Sequence, residues 1–222
     1  MTARLDPADP ASAERFILEN TKPIAPPLVA EITLRLAEES LPIWQKTEEE
    51  LGELNVPPPF WAFAWAGGQA VSRYLLDNPE ICRGRNVLDI GAGSGLSAIA
   101  AAKTGAAHVL AVDIDGLAVA ACAINAKANG VAIETTAADL LSTEPPADSV
   151  IIVGDLFYER ELAERVTRYI GRAKERGCSI FIGDPRRSYF PQDRFTPLAE
   201  YQVPVTRELE DYDIKRTTVW GA

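Results

Sequence analysis

Near the N-terminus, apolar residues recur at helical spacing, first as Ala13, Phe16 and Ile17, then as Leu28, Ile32 and Leu36, with Pro26 and Pro27 between the runs. This spacing predicts helices over residues 11–20 and 27–39. A polar, acidic stretch, QKTEEELGELN, then leads into Pro57, Pro58 and Pro59. The proline run divides the chain into an N-terminal helical extension, residues 1–56, and a main domain, residues 57–222.

Beyond the prolines the period changes. NVLDI (86–90), HVLAVDID (108–115), VAIETTAADL (131–140), SVIIVGD (149–155) and CSIFIGD (178–184) are runs of strand length. LSAIAAAKTG (96–105), LAVAACAINAKANG (117–130) and ELAERVTRYIGRAKERG (161–177) are helical runs between them, the first two stopped by a glycine. Strands separated by helical stretches predict an α/β fold with right-handed crossovers, a doubly wound parallel sheet and helices on both faces. The tail departs from this alternation: YQVPVTREL and DIKRTTVWGA are strand-like runs joined by a short turn, which predicts an antiparallel C-terminal hairpin at the sheet edge.

Charge narrows the partners. The chain carries 22 basic against 32 acidic residues, a formal net charge of -10, and a field of that sign repels nucleic-acid phosphates and favours a cationic partner. Cys82, Cys122 and Cys178 are far apart and form no C-x-x-C pair, so neither a metal site nor a disulfide framework is signalled. The first residues, MTARLDPADPASAERF, lack the apolar core of a leader, and no window approaches the roughly 18 apolar residues of a membrane span. A cytoplasmic protein without a membrane partner is the expectation.

The candidate chemistry begins at VLDIGAGSGLSAIA, which sets Gly91, Gly93 and Gly95 between a strand and its helix. Glycines there let the backbone turn tightly and let a ligand approach a helix N-terminus. Leu96 stands where a dinucleotide fingerprint requires its third glycine, which weighs against NAD or FAD. Asp89, two residues before the loop, would repel a pyrophosphate but suits a cationic ligand such as S-adenosylmethionine, with its ammonium and sulfonium. Asp113, 24 residues after Asp89, ends the second strand where a carboxylate can accept from ribose hydroxyls, and Asp139 with the Leu140 backbone ends the third near an adenine amine. The bland reading of each acid is a helix cap or a turn residue.

In the order VLDIGAGSG, AVDID, AADLL and closing hairpin, residues 60–222 resemble the class I, seven-strand methyltransferases, Rossmann-like enzymes that use S-adenosylmethionine. Upstream, PPPFWAFAWAGGQAVSRYLL is dense in aromatics, which taken alone are more often core than ligand contacts. The resemblance to family 16 of these enzymes implies that Trp65, Gly67 and Gln69 lie against the cofactor, with Trp61 and Phe63 structural or walling a substrate channel. The same family carries an acid-x-x-tyrosine motif after the fourth strand, here Asp155-Leu156-Phe157-Tyr158. Several members are protein lysine methyltransferases, so the resemblance implies that Asp155 and Tyr158 hold a lysine amine in line with the methyl donor. The competing reading makes Asp155 a helix cap and Tyr158 its packing partner.

No proline separates Gly154 from Tyr158, unlike the N-P-P-Y and D-P-P-Y motifs that suit planar nucleobase nitrogens. PFWAFAWAGG, GDLFYE and GDPRRSYF narrow the likeness to the branch that modifies the electron transfer flavoprotein beta subunit, and this implies that protein as substrate. Asp184 and Arg187 then belong either to a substrate rim or to a salt-bridged surface turn. A small-molecule N-methyltransferase acting on an amine or pyridine nitrogen is the alternative, and a non-catalytic cofactor-binding module the alternative of another class. His108, the only histidine, begins a strand away from the glycine loop and is a poor candidate for a general base.

Overall fold

The computed structural model describes residues 5–7, 9–38, 40–51, 58–205 and 214–222. Five apolar runs of the main domain form parallel strands: β3 (Asn86–Ile90), β4 (His108–Val112), β5 (Glu134–Thr136), β6 (Val150–Gly154) and β7 (Ser179–Asp184). They follow β1 (Lys22–Ile24) and β2 (Leu34–Leu36) of the N-terminal region, and precede β8 (Thr196–Pro204) and β9 (Ile214–Gly221). The main sheet has the order β5-β4-β3-β6-β7-β9-β8, with only β9 and β8 antiparallel to their neighbours. The C-terminal hairpin is therefore present, with β8 on the edge; residues 206–213 between its strands lie outside the described residues.

Alternation along β6 shows how the sheet is covered on both faces. Val150 and Ile152 pack with Ala66, Ala70, Val71 and Leu75 of α3 (Ala66–Asp77) on one side. Ile151 and Val153 pack with Ala163, Val166, Tyr169, Ile170 and Ala173 of α6 (Arg160–Glu175) on the other. A strand buried on both faces reads as an unbroken apolar run because its residues alternate between two cores. Removing one of these fully buried isoleucine side chains costs about 2–5 kcal/mol. The remaining crossover helices are α4 (Leu96–Lys103) and α5 (Gly116–Ala128), and among the described residues no helix is long and apolar enough to cross a membrane.

The N-terminal region differs from its pattern. The helix expected at 11–20 is present as α1 (Pro10–Asn20), capped by the Asp9 side chain on the amides of Ala11 and Ser12. The helix expected at 27–39 is absent: a turn at Val29 leads into β2, which pairs antiparallel with β1. Leu28, Ile32 and Leu36 match helical spacing, but Leu34 and Leu36 alternate with half-buried Arg35. The amides of Thr33 and Arg35 donate to the side chains of Asn129 and Asn125 in and just after α5. Tertiary partners thus take the donors that a helix would have used internally. The polar, acidic stretch QKTEEELGELN lies largely within α2 (Ser40–Leu51), and Pro57 with the 56/57 boundary lies outside the described residues.

At the third run, VAIETTAADL, only Glu134–Thr136 is a strand, an edge strand with β4 as its one neighbour among the described residues. α3 carries Gly67 and Gly68, which cost roughly 1 kcal/mol each in a helix interior. The compensation is a close approach, since a Cβ on Gly67 would stand well inside contact distance of the Gly183 carbonyl at the end of β7. Backbone thereby meets backbone beside the C-terminal ends of β6 and β7.

Candidate active site

Strand order reverses between β3 and β6, and the C-terminal ends of these two strands carry the chemistry, as doubly wound sheets arrange it. After β3 the amides of Gly91 and Ala92 donate to the Val112 carbonyl at 2.8 and 3.0 Å, which stitches the loop to β4. Gly91 and Gly95 have φ of +67° and +81°, and a Cβ on either would meet Leu156 or Cys122 at 2.5 Å. Gly93 differs, because a Cβ there would meet nothing nearer than Trp61 Cα at 3.7 Å, so the middle of the loop is open. The loop runs directly into the N-terminus of α4, whose amides favour an anionic group.

The acids of this loop are held by short-range bonds. Asp89 is 2% exposed and its Oδ2 accepts from the Ala98 amide at 3.0 Å, so the carboxyl lies beneath the loop as a cap of α4. Burial pushes it up to about 8, with the charge of Asp113 in support and the Ala98 bond opposing. Asp113 accepts from the Gly93 amide at 2.9 Å and the Asp115 amide at 3.0 Å. Burial raises its carboxyl too, against those two bonds.

Asp139 accepts from the Leu141 amide at 3.1 Å and pairs with Arg165, so both oxygens are engaged within the chain. Leu140 is half-buried against the α6 core. Trp65 donates its indole N–H to the Phe60 carbonyl at 2.8 Å and meets Phe60 and Phe63 edge-on. Gln69 is buried, donating to Ala64 O at 2.7 Å and accepting from the Leu28 amide at 3.2 Å. Its amide fixes the segment that presents Trp65. Trp61 belongs to the core with Phe16 and Leu117, as does Phe63.

The motif after β6 sits beside the glycine loop, with the Leu156 side chain filling the space next to Gly91. Asp155 has φ +57°, a left-handed conformation uncommon for a non-glycine residue. Its Oδ2 accepts from the Gly68 amide at 3.0 Å, and its Oδ1 accepts from Arg187 Nε and Nη2 at 3.1 and 2.7 Å. Tyr158 is 46% exposed and packs on Phe60 at 5.5 Å between ring centroids. Burial raises its phenol, with the charges of Glu159 and Asp113 adding to the effect. The sequence offered Asp155 as a possible helix cap, but Glu159 occupies the N-cap position of α6.

Asp184 and Arg187 point inward from a turn whose Arg186, Ser188 and Tyr189 are exposed. Asp184 is fully buried, its Oδ1 accepts from the Arg187 amide at 2.7 Å, and Oδ2 has no hydrogen-bond partner among the described residues. Burial, then the neighbouring Asp155 charge, pushes its carboxyl up to about 7. Sequence reading missed the Asp155–Arg187 pair, although the runs SVIIVGD and CSIFIGD end alike and Gly154 pairs with Gly183 in register. It also missed Phe60, which touches both Trp65 and Tyr158. A cavity of about 370 Å³ adjoins Trp65, lined by Pro26, Phe63, Ala64, Gln69 and Val205.

The open glycine cradle, a helix N-terminus and a carboxylate at the adjoining strand end fit S-adenosylmethionine. The fold agrees with solved methyltransferases: a ribosomal protein L11 methylase from Lactobacillus delbrueckii subsp. bulgaricus superposes with a TM-score of 0.52 at 20% identity, over 72% of this chain and 80% of that one. Magnesium protoporphyrin IX methyltransferase from Synechocystis, solved with bound S-adenosylmethionine, gives 0.51 at 19% identity, over 70% of this chain and 79% of that one. The sequence profile described as ribosomal protein L11 methyltransferase (PrmA) matches residues 71–179. Curated relatives named electron transfer flavoprotein beta subunit lysine methyltransferase are 39% identical in Xenopus laevis, over 93% of this chain and 85% of the relative, and 34% identical in Homo sapiens, over 93% and 80%. By identity sustained along nearly its whole length, the chain belongs to the electron transfer flavoprotein beta subunit lysine methyltransferase family, and is an S-adenosylmethionine-dependent methyltransferase.

Proposed function

We propose that this enzyme methylates lysine side chains of the electron transfer flavoprotein beta subunit, and that Asp155 and Tyr158 receive the acceptor amine. One observation carries the reading: the acid-x-x-tyrosine motif packs directly on the glycine loop through Leu156 and Gly91. The net charge of -10 supports a cationic acceptor and opposes a nucleic acid. The cofactor site comprises Trp65, Gly67, Gln69, Asp89, Gly91, Gly93, Gly95, Asp113, Asp139 and Leu140, in unequal roles. The glycine loop and Asp113 make the contacts, while Asp89, Gly67 and Gln69 hold the loop, α3 and the Trp65 segment in place.

When bound, S-adenosylmethionine supplies a methyl on a sulfonium: the lysine nitrogen forms the N–C bond with its lone pair, the C–S pair stays on sulfur, and the proton left on nitrogen goes to water. The residues contribute position. Asp155 is fixed by the Gly68 amide and by Arg187, so its carboxylate cannot swing. Holding an amine in a near-attack geometry is worth on the order of 7–11 kcal/mol. The half-exposed Tyr158 ring faces the alkylammonium product, an attraction of about 0.5–1 kcal/mol at such a site.

Incubation of the purified flavoprotein with methyl-labelled cofactor should label its beta subunit, and Asp155→Ala or Tyr158→Ala should abolish labelling while cofactor still binds. Label at full rate in both variants would remove the role given to the motif. Label confined to small amines, with no protein band, would instead support the small-molecule reading.

A further inference from the structure

The acid expected to attract a lysine ammonium already has a cation of its own chain. We propose that Arg187 is a positioning residue of the methyl-transfer site: it neutralises and steers the Asp155 carboxylate, so that the site takes up the acceptor lysine as the free amine. The inference rests on the reading that Asp155 receives the acceptor.

The geometry is specific. Arg187 places two N–H groups on the single oxygen Oδ1 of Asp155, leaving Oδ2 to the Gly68 amide, and the side chains of the pair are 17% and 10% exposed. The guanidinium carbon also lies 5.5 Å from the centroid of the Trp65 ring. Its backbone is tethered by Asp184, and Arg186 before it holds φ +65°, so the turn that aims Arg187 is fixed at both levels. A fork clamped between a carboxylate and an aromatic face is a built feature of this end of the sheet.

Its consequence is electrostatic. An unpaired carboxylate beside a lysine stabilises the ammonium, the form that has no lone pair to attack with. Arg187 sets its positive charge against that of the carboxylate, and in this role Asp155 presents an acceptor to one N–H of the amine. The ammonium releases its proton to water before entry, and no side chain of the site has to carry it. Arg187 from the turn after β7 pairs with Asp155, whose charge in turn acts on Asp184, while Asp113 and Glu159 act on Tyr158. α3 contributes the uncharged Gly68 amide.

The test compares wild type, Arg187→Gln, Arg187→Lys and Asp155→Ala on an electron transfer flavoprotein beta subunit between pH 7 and 9.5, with binding of S-adenosylhomocysteine measured for each. Arg187→Gln should lower kcat about tenfold near pH 7 with KM little changed, and the deficit should shrink as pH rises and supplies free amine, one unit of amine pKa being worth a factor of ten. Arg187→Lys, which keeps the charge and loses the fork, should fall between. A loss independent of pH, a higher KM at unchanged kcat, or a gain in activity on removing Arg187 would each overturn the proposal. If Arg187→Gln fails to bind the ligand and so to fold, the pH dependence of the Arg187→Lys deficit decides alone. Asp155→Ala at full activity would instead overturn the reading beneath it; Asp155→Ala inactive beside a pH-independent Arg187→Gln loss would sink only the role of Arg187.

Discussion

Asp89, inside the C-terminal end of β3, and Asp155, just past the end of the neighbouring strand β6, are built differently. Asp89 is bonded to Ala98, nine residues on in the chain. Its neighbour Asp113 is held by amides 20 residues back and two residues ahead. Asp155 is bonded to Gly68 across 87 residues and to Arg187 across 32. The proposed cofactor side is thus a product of local loop geometry, and the proposed acceptor side a product of three elements meeting. The first keeps its acid buried, with burial favouring the neutral carboxyl, while the second gives its acid a cation.

The largest effect that tests this contrast is Asp155→Ala, which should reduce methyl transfer by at least about a hundredfold, since most of the rate comes from positioning. Cofactor affinity in calorimetry should stay near wild type, and a joint loss of both would mean that the two halves are one site. Asp113→Asn should do the reverse. It removes a charge-assisted acceptor worth about 1.5–3 kcal/mol and should weaken cofactor binding by roughly ten- to a hundredfold.

Gly67→Ala probes the long-range side through packing alone. Its Cβ would press on the Gly183 carbonyl and stand 2.5 Å from Asp155 Oδ2. Thermal melts should show a loss of about 1–3 kcal/mol, accompanied by reduced methyl transfer. Unchanged stability would mean that α3 can lift off β7 freely.

Smaller still is the pH dependence of the buried acids. Burial raises Asp89 to about 8 and Asp184 to about 7, from an ordinary value near 4. A carboxyl raised in the folded state contributes stability fully below pH 4, and loses it as pH climbs through the folded value. Asp89→Asn and Asp184→Asn should therefore each flatten the decline in melting temperature between about pH 4 and 8. A decline identical to wild type in both would show that neither acid titrates there. At the bottom of the range is His108→Ala. His108 begins β4 at the far end from the glycine loop and pairs on the surface with Glu134 at 2.9 Å, so activity should hold and stability change by less than about 1 kcal/mol.

The legibility of the chain follows the same division. Four of the five runs of the main domain were readable because a buried strand must be apolar on both faces, Glu134–Thr136 at the sheet edge being the exception, and the glycine loop because φ values near those of Gly91 and Gly95 disfavour side chains. Residues 27–39 were misread because Asn125 and Asn129, nearly a hundred residues away, satisfy their amides and hold them extended. Asp139 shows the limit within the site, since strand ends call equally for caps and ligand contacts, and here its partners are Leu141 and Arg165.

By itself the sequence determined the period of the sheet, the glycine turn, the acids at strand ends and the proline-free acid-x-x-tyrosine motif, all of which depend on neighbours a few residues apart. Only the tertiary structure decided that Asp155 would face Arg187 and the Gly68 amide, that Asp89 would lie beneath its loop, and that Gln69 would brace Trp65 from below. The reason is physical: which charge meets which is set by strand register, Gly154 against Gly183, and register is fixed by the packing of the whole sheet.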